Sequence, residues 1–325
     1  MAATGRVVVV GSFNVDHAWH CSELPAPGAT LAGVYASGPG GKGFNQAMAA
    51  ARAGAATAFL CALGDDTGGS LARRLAAADG IELHAAGSEA PTGTAGIFVD
   101  AGGRNSIVIG AGANADLGTG FIESHAARLS AAAVVLAQLE SPLPSITRAL
   151  ALARAGGATT ILNPAPANAE ANPELLAHAD VLVPNETEFA AMLSRLDAGD
   201  IAADAVAGTD DAGLHALCRR LLPRGSVVVT LGTAGCFVSH PGDATRGDDA
   251  GHYRVAAEPA RGVDTTGAGD AFNGALAASL ATTEGPFAGH VRFATRYAAL
   301  STESPGAALA MPTRAALEAR FPRGH

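Results

Sequence analysis

Apolar positions along this chain come in short runs with two different periods, and the order of those periods predicts the architecture. Val7–Val10 is an unbroken β-branched run closed by Gly11-Ser12, the pattern of a strand buried on both faces. Helical spacing follows over residues 44–54 and 69–79, with a strand between them at 57–63. From residue 130 onward the two periods alternate. Strands are predicted over 134–139, 159–163, 181–184, 226–231 and 236–240, and helices over 143–155, 186–196, 214–222 and 268–280. Such alternation predicts an α/β fold, a doubly wound and mostly parallel sheet with helices on both faces.

Two segments depart from that rhythm. Residues 17–37 and 92–109 show short alternating runs without helical spacing, and Asp100-Ala-Gly-Gly-Arg104 has the turn chemistry of a hairpin. They predict a small β-sheet apart from the main core, serving as a lid, a subunit contact or both. The expected organisation is one domain over 1–325 carrying that sheet. Residues 197–213 and 241–252 are acidic, small and glycine-bearing, and read as solvated loops.

Composition acts mainly by exclusion. With 325 residues, 48% of them hydrophobic, the chain can bury a large core, yet no apolar run is long enough to cross a bilayer. The start, MAATGRVVVVGS, enters a strand-like run without the parts of a signal peptide, which predicts a cytoplasmic protein. Four cysteines without CxxC spacing read as reduced thiols. A net charge of −9 and the lack of a basic patch argue against nucleic acid as a partner. Ten histidines without HxxxH or HExxH spacing suggest no metal role.

The chemistry concentrates at Val263-Asp-Thr-Thr-Gly267-Ala268-Gly269-Asp270-Ala-Phe-Asn-Gly274. Glycines strip side chains from a turn that opens a helix, so backbone N–H groups and the positive end of a helix dipole converge on one point, an anion hole. Asp270 stands at its lip. A carboxylate there is badly placed beside a phosphate unless it takes a proton, and the pair points to phosphoryl transfer to an alcohol. With a reference pKa of about 4, Asp270 is expected to be ionised at neutral pH. Lysine and arginine total 21, but only Lys42 is a lysine, and it lies in the glycine loop Gly38-Pro-Gly40-Gly41-Lys42-Gly43. That placement points to a site needing a compact ammonium instead of a guanidinium fork.

The same loop satisfies GxGxxG, with Asp65 at the distance of a ribose-binding acid. Some two dozen residues separate it from the first strand, however, which defeats the dinucleotide reading. Ala36 and Gly43 stand where a Walker A loop needs glycine and a hydroxyl. What remains is a turn presenting Lys42 and Asn45 to something small. Asn14 and Asp16 follow the first strand at its C-terminal end and share a face; Glu140, and Asn185 with Glu188, end later strands at the same sheet edge. Each alone could be a turn or a cap, but five such groups converge on one crevice. Thr230-Leu-Gly232-Thr-Ala-Gly235 suits backbone approach to a nucleotide, or a plain hairpin turn.

Taken together these residues resemble the PfkB-type carbohydrate kinases, and within them the ribokinase branch. The resemblance runs through GSFNVD (11–16), ELPAPG (23–28), GGKGFNQA (40–47), GDD (64–66), PTGTAGIFVD (91–100), GAGANADL (110–117), QLE (138–140), LNPAPA (162–167), PNETE (184–188), VTLGTAG (229–235) and DTTGAGDAFNGAL (264–276). It implies a ribokinase-like fold and ATP-dependent phosphorylation of a sugar's primary hydroxyl, D-ribose first, with fructose, 2-keto-3-deoxygluconate or a nucleoside as alternative acceptors. In that likeness Asp270 is the base, and Gly267, Ala268 and Gly269 form the anion hole. Asn14, Asp16, Gly41, Lys42, Asn45 and Glu140 bind the sugar. Asn185, Thr230, Gly232, Gly235, Gly269 and Thr295 line the nucleotide site, and Glu188 acts through water on Mg²⁺. A K⁺ activator would be held by Asp264, Thr266, Ser301, Ser304, Gly306 and Ala310, and the small sheet would close over the sugar and pair two subunits. The chain departs from the pattern at Glu303-Ser304, at Ala310 and at Phe44, whose ring either narrows the sugar pocket or packs into the helix face. A non-catalytic sensor would require a damaged motif, and Asp270 with both glycines is intact.

Overall fold

The computed structural model describes residues 5–242 and 244–322; Met1–Thr4, where the expected signal-free start begins, Asp243 of the predicted 241–252 loop, and 323–325 lie outside the described residues. A nine-stranded sheet has the order β13-β12-β11-β10-β9-β8-β1-β4-β5. Its strands are β1 (Arg6–Val10), β4 (Ala56–Gly64), β5 (Glu82–Ser88), β8 (Val134–Ala137), β9 (Thr159–Leu162), β10 (Val181–Leu182), β11 (Ser226–Thr230), β12 (Cys236–Ser239) and β13 (His252–Val255). Pairing is parallel from β5 to β11 and antiparallel at β12 and β13. The unbroken apolar run of β1 now has its cause. Val7 and Val9 face α1 (Lys42–Arg52) and α9 (Ala268–Thr282), in a core that extends to α10 (Phe287–Ser301). Val8 and Val10 belong to the core on the opposite face, which also holds apolar residues of α5 (Leu143–Ala155), α7 (Glu186–Arg195) and α8 (Asp211–Leu221).

Chain order reverses between β1 and β8, neighbours in the sheet though far apart in sequence. Ligands of open α/β sheets bind outside the strand C-termini at such a switch point. Over it lie α1 and α9, which touch at backbone distance. A Cβ on Gly274 would stand 2.4 Å from the Gln46 carbonyl oxygen and 2.5 Å from the Ala49 Cβ, so glycine there lets α9 bring Asp270 against α1.

The second sheet has the order β3-β2-β6-β7, from β2 (Asn14–His20), β3 (Val34–Gly40), β6 (Gly93–Val99) and β7 (Asn105–Gly110), and the expected hairpin joins β6 to β7. It begins at Asn14, three residues earlier than the sequence pattern implied. Asn14 and Asp16 therefore belong to this sheet and are not a loop trailing β1. They do share a face, and glycines opposite make room for them. A Cβ on Gly40 would fall 2.1 Å from an Asp16 carboxylate oxygen, and one on Gly93 2.3 Å from Asn14 Oδ1.

Several elements have no counterpart in the sequence reading. β5 and β13 are edge strands with half-exposed, polar-interrupted sequences that lack a clean period. Helix α10 buries Phe287, His290, Val291, Ala294 and Tyr297 at helical spacing, a legible signal that was not used. The two presumed loops are also tied down. Val206 is wholly buried in the core, and Asp248 of the second loop accepts from His240 Nε2 (3.0 Å) and from the Ala288 amide (2.8 Å).

Candidate active site

Two helix starts meet over the switch point. Helix α1 opens after Gly41, whose φ of 86° favours glycine and whose Cβ would fall 2.8 Å from the Asn14 amide nitrogen. Its first residue, Lys42, donates its backbone N–H to Glu140 Oε2 (3.0 Å), and Ser12 Oγ donates to the same oxygen (2.6 Å). Glu140, just past β8, thus stitches β1 to α1 across the reversal. Helix α9 opens after Gly267 at φ 76°, and a Cβ on Gly269 would meet nothing within 4 Å, leaving open space above the turn. The amides of Gly269 and Asp270 have no acceptor among the described residues, as expected of a helix's first turn. The Ala268 N–H is less free than expected, since it donates to the Thr265 carbonyl (3.2 Å).

Asp270 is buried and held from both sides. Asn45 Nδ2 donates to its Oδ2 (2.9 Å) and Gln46 Nε2 to its Oδ1 (2.8 Å). Asn45 is no cap. Its Oδ1 is buried without a partner among the described residues, an acceptor open to a hydroxyl donor. Asn14 Oδ1 accepts from Asn114 Nδ2 (2.8 Å), which fixes the orientation of the Asn14 side-chain amide. Asn114 also brackets Phe13 through both its N–H and its carbonyl.

Around this point stand four carboxylates and one ammonium. Burial pushes the Asp16 carboxyl up to about 6, with Glu140 and Asp270 adding to the rise and Lys42 opposing it. Burial also holds Asp270 above the ordinary carboxylate range, against Lys42 and the two amides. Its reference value thus understates Asp270, which is a stronger base than a solvated aspartate. Burial raises Glu188 likewise. Desolvation would lower Lys42, but Asp270, Glu140, Glu188 and Asp16 outweigh it and keep its ammonium protonated. Lys42 forms no ion pair among the described residues and lines a cleft with Glu188, Asn185, Thr230, Gly269 and Asp270.

The remaining expected residues divide. Asn185 and Glu188 form a capping box at the start of α7, with Glu188 N–H donating to Asn185 Oδ1 (2.8 Å) and Asn185 N–H to Glu188 Oε2 (2.9 Å), so capping is part of their work. Thr230 lies beside Asn185 in a parallel bridge. Gly232 and Gly235 sit in the hairpin turn between β11 and β12, which follows the cleft-lining Thr230; a Cβ on Gly235 would meet the Val255 carbonyl oxygen at 2.0 Å, a structural reason for glycine. Thr295 turns its hydroxyl into its own helix, donating to the Val291 carbonyl (2.9 Å). Asp264 gathers Thr266 and Gly306 by accepting both their amides at 2.9 Å, bonds that hold its carboxyl below the ordinary range despite its burial. Ser301 donates back to the Ala298 carbonyl, Ser304 is exposed, and Ala310 is buried and apolar. Phe44 is fully buried and packs edge-on against Phe13 at 5.0 Å, so it belongs to the core and not to a pocket wall.

Sequence reading missed the polar layer beneath. Ser12, Gln46, Asn114, Gln138, Asn163 and Asn273 are buried and hydrogen-bonded to site residues or to one another. Buried amides inside apolar helices and at strand ends were the available signal. Asn273 donates to the Gly269 carbonyl (2.9 Å), and its Oδ1 lies buried beside the cleft with no partner.

The chain matches the family described as pfkB family carbohydrate kinase over residues 4–314, and it belongs to that family. It is 35% identical over 313 residues to a ribokinase of Haemophilus influenzae, covering 95% of each chain. It is 36% identical over 318 residues to a bifunctional ribokinase/ribose-5-phosphate isomerase A of Fructilactobacillus sanfranciscensis, of which it spans 55% while 96% of this chain is covered. A ribokinase of Arabidopsis thaliana, solved in complex with ribose and ATP, has 29% sequence identity and a TM-score of 0.79, with 100% of both chains covered. The expected ribokinase-like α/β fold is thus the observed one, and the chain is a carbohydrate kinase.

Because the Asp16 carboxyl is raised, the sugar binding expected of Asp16 should weaken as pH falls through about 6. Its effect on stability has the opposite sense. A carboxyl whose folded pKa lies above its unfolded value of 3.8 destabilises the fold when ionised, and the penalty disappears as pH drops from about 6 toward 4. Asp16→Asn is expected to stabilise the protein at pH 7 by on the order of 2 kcal/mol while raising the sugar KM. Denaturant midpoints at pH 7 and pH 4.5 check this. An equal change at both pH values would contradict it.

Proposed function

We propose that this chain transfers the γ-phosphoryl group of ATP to the primary hydroxyl of D-ribose, giving D-ribose 5-phosphate. The observation that carries the reading is Asp270, a buried carboxylate of raised basicity at the first turn of α9, beside open amides and within reach of the Asn45 acceptor that lacks a partner. In this reading Asp270 takes the hydroxyl proton. Asn14, Asp16, Gly41, Asn45 and Glu140 hold the remaining hydroxyls under the small sheet. Lys42 reaches toward the transferring group from the same cleft, and the amides of Gly267 and Gly269 receive its negative charge.

Four carboxylates around one ammonium leave surplus negative charge where a triphosphate must bind. No group of three or more metal-ligating side chains exists among the described residues, so a divalent ion fits only if phosphate oxygens complete its shell, as Mg²⁺ prefers. Glu188, with Asn185 and Thr230, lines the cleft where that ion would sit. Bound there, Mg²⁺ would neutralise the phosphates. For K⁺, the loop clipped by Asp264, Thr266 and Gly306 supplies oxygens beside the turn before α9, while the Ser301 hydroxyl and Ala310 side chain contribute none to it.

One domain carrying a sheet that acts as both lid and subunit contact is the organisation we infer. Val34, Tyr35, Ile107, Val108 and Ile109 of that sheet are exposed, an apolar area suited to a second copy. Four cysteines without disulfides favour a cytoplasmic setting, and no described helix is long and apolar enough to cross a membrane. The reading is tested by ATP consumption with ribose, 2-deoxyribose, fructose, 2-keto-3-deoxygluconate and nucleosides, each in K⁺ and in Na⁺. Ribose should turn over fastest, and faster in K⁺; preference for another acceptor would overturn the sugar assignment.

A further inference from the structure

Gln46 lies on α1 one turn after Lys42, is fully buried, and cannot touch a ligand. Both N–H groups and the carbonyl oxygen of its amide nevertheless have partners. Nε2 donates to Asp270 Oδ1 (2.8 Å) and to Asn163 Oδ1 (3.0 Å), while Oε1 accepts from Gln138 Nε2 (2.6 Å). An amide's two ends are not interchangeable. Two acceptors, the Asp270 carboxylate and the Oδ1 of Asn163, whose own amide nitrogen is taken by the Val183 carbonyl, turn the Nε2 end of Gln46 toward the carboxylate and leave Oε1 for the Gln138 donor. Asp270 thus has one oxygen pinned from behind and the other beside Asn45, on the side with the free acceptor. The connection continues toward the nucleotide side. Asn163 Nδ2 donates to the Val183 carbonyl (2.9 Å) and lies 3.5 Å from Glu188 Oε2.

We propose that Gln46 is a positioning residue, which fixes the Asp270 carboxylate for proton removal and keys it through Asn163 to the nucleotide side of the cleft. This rests on the reading of Asp270 as the base. A buried amide whose only task is to join a helix to a sheet would not need both donors on acceptors that line the cleft, Asp270 and Asn163. The charged groups facing Asp270 are Lys42 on α1, Asp16 on β2, Glu140 after β8 and Glu188 on α7, and none of them is altered by a change at Gln46.

Gln46→Met keeps the volume and removes the bonds. It should lower kcat by about 10- to 100-fold, the scale of a misplaced reacting group, with both substrate KM values within about threefold of wild type. Losing a donor to the ionised carboxylate should also move the acid limb of the kcat profile to higher pH. Unchanged kcat and acid limb, or a raised sugar KM with kcat intact, would overturn the proposal. Should Gln46→Met fail to fold, Gln138→Met removes the bond that anchors Gln46 Oε1 and must show a smaller upward displacement with a smaller fall in kcat. An unmoved acid limb there would overturn it equally. Asp270→Asn separates the two readings. If that variant turns over normally, the base assignment fails; if it is inactive while Gln46→Met matches wild type, only the role of Gln46 fails. In the double variant no further loss is expected beyond Asp270→Asn alone.

Discussion

Asp270→Asn is expected to lower kcat by about 10²- to 10⁴-fold while nucleotide affinity stays near that of the unchanged chain. The substitution preserves shape but removes the proton acceptor. It also sets up a conflict. Asn45 Nδ2 and Gln46 Nε2 each donate to a different oxygen of the carboxylate, and an amide can accept from only one of them. The fold should tolerate the change, because burial already makes the ionised carboxylate unfavourable in the native state. Steady-state kinetics with calorimetric titration of the nucleotide check both halves. Turnover within threefold of wild type would place the base elsewhere.

Lys42→Met should come next in severity, with a fall in kcat of about 10²- to 10³-fold, typical when one charge-stabilising donor is lost. Its ammonium opposes the raised pKa of Asp16, of Asp270 and of Glu188, so without it all three move further up. The acid limb of activity should therefore shift to higher pH. Stability should drop at pH 7 and recover as the carboxylates protonate on acidification. Lys42→Arg should restore little, since a planar fork cannot take the place of a compact ammonium in a cleft shared with Asp270 and Gly269. Wild-type turnover from Lys42→Arg, measured across pH 5–9, would show that charge alone suffices.

The parts of the site legible in the sequence were those whose residue types are unusual for their surroundings. Lys42 stood out as the one lysine in a glycine loop, and Asp270 as a carboxylate at an amide-rich helix start. The α/β alternation was equally readable, because strands buried on both faces carry unbroken apolar runs, as the valines of β1 and β11 do. Less legible was anything fixed by long-range partners. Asn14 and Asp16 join the small sheet because Gly40 and Gly93, distant in sequence, leave them space. Gln46, Gln138 and Asn163 act only as a set, and no local period marks an amide whose partners lie about a hundred residues away or more. Phe44 was ambiguous until Phe13 and Phe59 supplied its neighbours. Edge strands such as β13 escaped because one-sided pairing leaves them free to be polar.

The central claim is that phosphate arrives on the primary hydroxyl of ribose through Asp270. Phosphorus NMR of the product made from ribose and ATP tests it most directly. A phosphorus signal coupled to the two methylene protons of C5, formed by the unchanged chain and missing with Asp270→Asn, is the predicted result. A signal coupled to the anomeric proton, or equal product from Asp270→Asn, would contradict the account.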